Sequence, residues 1–263
     1  MTDQSLARRA LEAEMAAFID LYKAAASACN TSHDSFDGVH VVWGPEDPSP
    51  AFSPVLNLQD ARQVETTLHV LEELGRERGM PRIGINGHPD IEPFHGRLAD
   101  LGYEIDDHEH YWALPMSGEP EAVQLSEGAT LEIVEPDQAA VFASTLNRGH
   151  EKKEDHARGR VYAAAIGRQN WRHYLIRVDG EPAAASALYI AGDAAQLFVT
   201  ATVPEFRSRG FQTSLIRQRL KDGREEGCTI AACQTVTDNA SPRNMQRHGF
   251  QMLYTRAIHG KLL

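Results

Sequence analysis

Apolar side chains at Leu11, Met15, Phe18, Leu21 and Tyr22 recur three or four residues apart, which predicts one face of a helix from Ser5 to about Ala28. Val39-His40-Val41-Val42-Trp43 is a short β-branched run and predicts a strand. Gly44 to Pro54 carries four prolines and predicts loop or extended chain. Val64, Leu68, Leu71 and Leu74 mark a second helix that ends near Gly79 and Pro81. A strand from Arg82 to Asn86, a helix from Asp90 to Leu101 and a strand from about His108 to Leu114 follow.

The pattern lapses in PMSGEPEAVQLSEGA, residues 115–129, which is rich in Pro, Gly, Ser and Glu and is the best linker candidate. Beyond it a strand covers Thr130 to Val134 and Pro136 opens a helix to about Leu146. A very polar stretch, Asn147 to His156, leads into a helix over Ala157 to Gly167. Strands at Arg172–Val178 and Pro182–Ile190 flank Asp179-Gly180, a strong hairpin signal. Next come a strand at Gln196–Val203, a loop at Pro204–Gly210 and an amphipathic helix through Gly223 built on Leu215, Ile216 and Leu220. A strand at Thr229–Thr235, a helix near Pro242–His248 and a strand at Met252–Ile258 close the chain. This order predicts a mixed α/β sheet, an antiparallel meander feeding a βαβ unit. The two halves echo each other weakly, one with a helix ending in Leu-Gly-Tyr and the other with a helix ending in His-Gly-Phe.

Composition narrows the partners. The 263 residues allow one large domain or two lobes, and the net charge of -11 disfavours nucleic acid or an anionic membrane. No apolar run is long enough to span a bilayer, and the N-terminus lacks a secretory h-region. Cys29, Cys228 and Cys233 form no CxxC pair, so neither a disulfide framework nor a zinc site is expected, and a reducing cytoplasm fits best.

The candidate chemistry begins at Thr202-Val203-Pro204-Glu205-Phe206-Arg207-Ser208-Arg209-Gly210-Phe211-Gln212-Thr213, between a predicted strand and a predicted helix. Backbone N–H groups and the positive end of the helix dipole make such a junction an anion site. Gly210 permits close approach or positive φ, Arg207 and Arg209 add cationic charge, and Thr213 offers a hydroxyl. The segment reads as a diphosphate cradle or as a solvated arginine-rich turn.

With Pro204, Arg207 and Gly210, this segment resembles the phosphate loop of the GNAT superfamily of acyl-CoA N-acyltransferases, although Gln212 stands where that family usually has Gly or Ala. Ser241-Pro242-Arg243-Asn244-Met245-Gln246-Arg247-His248-Gly249-Phe250 resembles a second family motif. The resemblance implies two tandem GNAT-like lobes: a degenerate lobe over residues 1–116, a linker at 117–129 and an acetyltransferase domain at 130–263. It implies acetyl-CoA as cosubstrate, with Thr200, Ala201 and Thr202 meeting the pantetheine arm. Arg207, Ser208, Arg209, Gly210, Phe211, Gln212 and Thr213 would meet the diphosphate, and Ser241 and Asn244 the arm from its other side. The reaction implied is direct attack of a primary amine of a small molecule on the thioester, with no metal.

Many members place a tyrosine four residues before the Gly of the terminal Gly-Phe pair, and here that position is Met245. Tyr254 is a substitute acid, or simply core. No carboxylate lies on the Gln196–Val203 strand, so the catalytic candidates are His150 and Glu151, in the cluster with Glu154, Asp155 and His156. Two histidines beside three acids would bring pKa values toward neutrality. The alternative is a non-catalytic CoA-binding or sensing protein, which Met245 and Gln212 favour. A monomer and a homodimer fit the sequence equally.

Overall fold

The computed structural model describes residues 3–58, 61–86, 94–237 and 241–263. The chain divides into two compact units. One contains the first part of the N-terminal helix up to Ala17, Ala113–Cys233 and Gly249–Gln251; the other contains Phe18–Trp112, Gln234–His248 and Met252–Leu263. We call them the meander unit and the N-terminal unit.

In the N-terminal unit, the helix α1 (Asp3–Cys29) continues through Leu21, Tyr22 and Ala25, all buried. The strands β1 (Ser32–Phe36), β2 (Val39–Trp43), β3 (Pro54–Leu56) and β4 (Arg82–Asn86) follow, with α2 (Ala61–Glu77) between the last two. Then come α3 (His95–Asp100) and β5 (Glu104–Pro115), which ends in the meander unit. The C-terminal strand β11 (Gln251–Leu262) lies antiparallel to β4, from Ile258↔Asn86 to Leu262↔Arg82, and the strand order is β1-β2-β3-β4-β11-β5. Val64, Leu68 and Leu71 of α2 pack with Trp43, Ile83, Ile85 and Tyr103. Nearly buried Glu72 accepts from the Tyr103 hydroxyl at 3.0 Å and from Lys261 Nζ at 2.8 Å, so the network ties α2 to β11.

The compact units therefore group residues differently from the lobes read at 1–116 and 130–263. The helix α7 (Ser241–Arg247) and most of β11 fall with the N-terminal unit, because β11 hydrogen-bonds into its sheet. The polar strand β1 and the proline-led β3 break the expected apolar pattern, and the helix read from Asp90 is described only from His95.

The meander unit holds β6 (Ala129–Ile133), β7 (Trp171–Val178), β8 (Glu181–Ala191), β9 (Ala194–Thr202) and the start of β10 (Ile230–Val236), in the order β10-β9-β8-β7-β6. Asp179 (φ 50) and Gly180 (φ 87) turn β7 into β8 with both residues left-handed, the geometry that an Asp-Gly pair favours. α4 (Ala139–Gly149) and α5 (Ala157–Ala163) pack on one face of the meander, and α6 (Phe211–Glu225) packs on the other. Neighbouring residues of β7 show this: the His173 ring meets Phe142 of α4 and bonds the Tyr162 carbonyl, whereas the Tyr174 hydroxyl donates to Asp222 of α6 at 2.7 Å. Leu215, Ile216 and Leu220 of α6 are buried, each contributing about 1.5–3 kcal/mol of apolar burial.

The stretch read as a linker is irregular, but it is not a free tether. Ser214 Oγ bonds the Gln124 carbonyl, and Arg217 holds Glu121 and the Ala122 carbonyl against α6. No described helix is long and apolar enough to cross a membrane.

Candidate functional site

The central feature is where β9 leaves β10. Their parallel ladder runs Ile230↔Ala194, Ala231↔Ala195 and Ala232↔Gln196, and among the described residues it stops there. β9 nevertheless continues to Thr202. Just past Gln196 the register with β8 also slips: Leu188↔Leu197 is followed by Ser186↔Thr200, so β9 carries one residue too many. This is a β-bulge, which bends the strand that contains it. Beyond the bulge the Val203 N–H bonds the Ala183 carbonyl at 2.9 Å. By two-residue alternation, Val203 and Ala201 direct their main-chain groups at β8, and Thr200 and Thr202 direct theirs to the side β10 has left. Of the three residues read as arm contacts, Thr200 and Thr202 thus turn main-chain groups away from β8 and Ala201 turns its own toward β8, and the Thr202 carbonyl accepts from Arg207 Nε at 3.4 Å.

The chain then makes a short 3-10 turn at Pro204–Phe206 and enters the loop. Ser208 (φ 65) and Gly210 (φ 81) are both left-handed, and Gly210 is the N-cap of α6. The helical ladder begins with Ser214 N–H to the Gly210 carbonyl, so the amides before it project from the helix start. A side chain at Gly210 would meet no atom within 4 Å, and Ser208, Arg209 and Gly210 are exposed. Main-chain donors around an open space at a helix start form an anion concavity.

The Arg207 guanidinium is engaged by neighbouring residues. Its Nη2 pairs with Glu151 Oε1 at 2.7 Å and donates to the Gly149 carbonyl at 3.2 Å. It therefore ties the phosphate-type loop to the α4–α5 connection. The Arg209 guanidinium lies over the Phe206 ring, 5.4 Å from its centroid.

The α4–α5 connection reaches β9 through Gly149. A Cβ there would come within 2.6 Å of the Ala201 Cβ, so only glycine allows this approach. His150 is the next residue. Desolvation first, then the cations Arg158, Lys152 and Arg207, hold its pKa below the 6.5 of a free imidazole. This differs from the acid-rich setting expected from the sequence: Glu151 is occupied by Arg207, and Glu154 Oε2 is turned toward Ser144. His156 serves as the N-cap of α5, its Nδ1 accepting from the Arg158 N–H at 3.2 Å. Asn147, missed in the sequence, is fully buried and binds both ends of this connection.

The remaining sequence candidates belong to the N-terminal unit. Ser241 begins α7 and Asn244 lies within it. Tyr254 stacks on Tyr111, centroids 5.0 Å apart and rings 11° from parallel. Cys233, at the edge of the meander unit, is buried, which pushes its thiol up to about 12 and leaves it protonated at neutral pH. No group of three His, Cys, Asp or Glu among the described residues is arranged to hold a metal.

A strand that parts from its parallel neighbour, followed by a left-handed loop and a helix start, is the arrangement to which the sequence comparison also leads. The model of the acetyltransferase (GNAT) family matches residues 139–250. Residues 139–250 form a GNAT domain. The fold likeness extends over the whole chain. A GCN5-related N-acetyltransferase from Kribbella flavida superposes with a TM-score of 0.69 at 16% identity, covering 97% of this chain and 95% of that one. A tandem GNAT protein from the clavulanic acid biosynthesis pathway gives 0.61 at 18% identity over 93% of each chain. A GCN5-related N-acetyltransferase from Sphaerobacter thermophilus gives 0.61 at 13%, covering 85% of this chain and 80% of that one. No curated protein matches the chain in sequence. The GNAT family match over residues 139–250 supports N-acyltransferase activity in general, and the structural likenesses show a fold of two tandem GNAT-like lobes on a mixed α/β sheet.

Proposed function

We propose that the protein transfers an acetyl group from acetyl-CoA to a primary amine of a small molecule by direct attack. The observation that carries this reading is the end of the β9–β10 ladder at Gln196–Ala232, a few residues before the loop that opens α6. Past the end of that ladder β9 accepts an extended arm as an added strand would be accepted, through the main-chain groups of Thr200 and the Thr202 N–H. The amides from Ser208 to Thr213 receive the diphosphate. A main-chain N–H on the open side of β9 is placed to stabilise the oxyanion that develops as the amine attacks.

The ammonium proton must leave before attack. His150, next to the glycine that touches β9 and neutral at physiological pH, is the candidate base, directly or through water. Glu151 orients the loop by holding Arg207, a role distinct from the catalytic one read from the sequence.

One observation favours a second reading, a CoA-binding protein without turnover: Met245 is buried where many relatives carry a proton donor. Calorimetry with acetyl-CoA and a thiol-release assay across an amine panel separate the two. Binding with turnover supports the transferase, binding with no turnover on any amine supports the sensor, and no binding eliminates both.

A further inference from the structure

Arg219 is a cation on the buried stripe of α6, four residues after Leu215 and three after Ile216, with 2% of its surface exposed. Its Nε donates to the Leu215 carbonyl at 3.0 Å, and its Nη1 donates to the carbonyls of Ala187 and Phe198, each at 3.3 Å. Ala187 and Phe198 are residues that the β8–β9 register passes over. Between the pairs Leu188↔Leu197 and Ser186↔Thr200, β8 advances two residues and β9 three. A bulge leaves main-chain groups outside the ladder, and inside a core these need a partner. Arg219 supplies it from the helix above.

A buried guanidinium is costly, and an apolar side chain of similar length would pack on the sheet without that penalty. Desolvation brings the pKa of Arg219 down to about 10, and it stays charged at neutral pH. What the residue gives in return is the shape of β9. The bulge follows Leu197, one residue past Gln196, the last residue of β9 in the described ladder to β10.

We infer that Arg219 is a positioning residue for the acyl donor: by bonding the carbonyls of Ala187 and Phe198 it holds the bulge of β9 in shape. The main-chain groups of Thr200 and the Thr202 N–H, which turn away from β8, are thereby held for the pantetheine arm. This rests on the acyl-CoA reading above.

The test uses the full chain, the variants Arg219→Met and Arg219→Lys, and two probes. Acetyl-CoA meets both β9 and the loop; 3′-phospho-ADP carries the diphosphate without the pantetheine arm. By calorimetry, Arg219→Met should lose at least about tenfold in acetyl-CoA affinity and stay within about twofold of wild type for 3′-phospho-ADP. Arg219→Lys, with a single ammonium for two carbonyls, should fall between. Retained nucleotide binding reports that the α6 loop is folded, which a general loss of structure would not allow. Unchanged acetyl-CoA affinity, or a fall by the same factor for both probes, overturns the inference. If Arg219→Met does not yield folded protein, the same comparison on Arg219→Lys decides it by the same two outcomes. Wild-type protein that binds neither probe sinks the acyl-CoA reading itself, and this inference with it.

Discussion

Asn147 Oδ1 accepts a hydrogen bond from the Gly159 N–H at 3.0 Å, joining the last turn of α4 to the first of α5. Asn147 Nδ2 donates to the Glu154 carbonyl at 2.8 Å and to the His156 carbonyl at 2.9 Å. One buried amide thus fixes the polar connection that carries His150 and Glu151. The two helices also touch closely, since a Cβ on Gly159 would lie 2.5 Å from the Ala143 carbonyl oxygen. A smaller side chain at 147 leaves three main-chain groups without their partner. With each unsatisfied buried group costing about 1–3 kcal/mol and water replacing some bonds, Asn147→Ala should lower stability in urea by about 2–4 kcal/mol. The acceptor KM should rise more than the acetyl-CoA KM. Unchanged stability would show that the connection is held by other contacts.

Gly210 separates a folding cost from a binding cost. Its φ of 81° is unfavourable for any residue with a Cβ, yet that Cβ would meet no protein atom within 4 Å. Gly210→Val should therefore cost only the backbone strain, about 1–3 kcal/mol. The added methyls would project over the amides of the α6 start, so acetyl-CoA binding should be lost while thermal unfolding stays cooperative. Calorimetry showing wild-type affinity in Gly210→Val would refute the placement of the diphosphate there.

Local rules made much of this visible in the chain. Arg82–Asn86 is a strand with the boundaries its β-branched residues suggest, and Asp179-Gly180 turns as its dipeptide requires. The loop before α6 was legible because Pro204, Arg207 and Gly210 resemble the GNAT phosphate loop, and Gly210 takes the left-handed φ that a glycine allows there. What escaped depends on long-range partners. Nothing local marks β1, Ser-His-Asp-Ser-Phe, as a strand; its pairing with β2 makes it one. Arg207 is identifiable as a cation, but its turn toward Glu151 requires α4 and β9 to meet at Gly149. Arg219 did leave a trace, a charge on an apolar stripe, although the bulge it serves lies on two other strands.

His173 makes stability depend on pH. It is buried against Phe142 and bonded to the Tyr162 carbonyl, and burial lowers its pKa to about 4. The unfolded chain takes up this proton at higher pH than the folded protein. The stabilising contribution is therefore complete above about pH 6.5 and is lost as pH falls from 6.5 toward 4. Taken at about 1.4 kcal/mol per pH unit, the loss is on the order of 2–3 kcal/mol across that window. Urea unfolding at a series of pH values should show this slope, and His173→Gln, which keeps a donor for the carbonyl, should flatten it. An identical slope in His173→Gln would assign the pH dependence to other groups.

His150 allows a sharper test of chemistry than of structure. Desolvation and the charges of Arg158, Lys152 and Arg207 lower its pKa, so it is neutral and able to accept a proton through the physiological range. If it is the base, kcat should fall on an acidic limb lying below pH 6.5, set by the imidazole in the ternary complex. His150→Gln should remove that limb and reduce kcat by about a hundredfold, the usual scale for losing a general base. Unfolding and acetyl-CoA affinity should be unchanged, because His150 follows the last turn of α4 and the helix is anchored by Phe142 and Leu146 instead. A residue that only walls the acceptor site behaves differently. Its loss would change the acceptor KM and leave the pH dependence of kcat intact, and that outcome would move the base to a group reached through water.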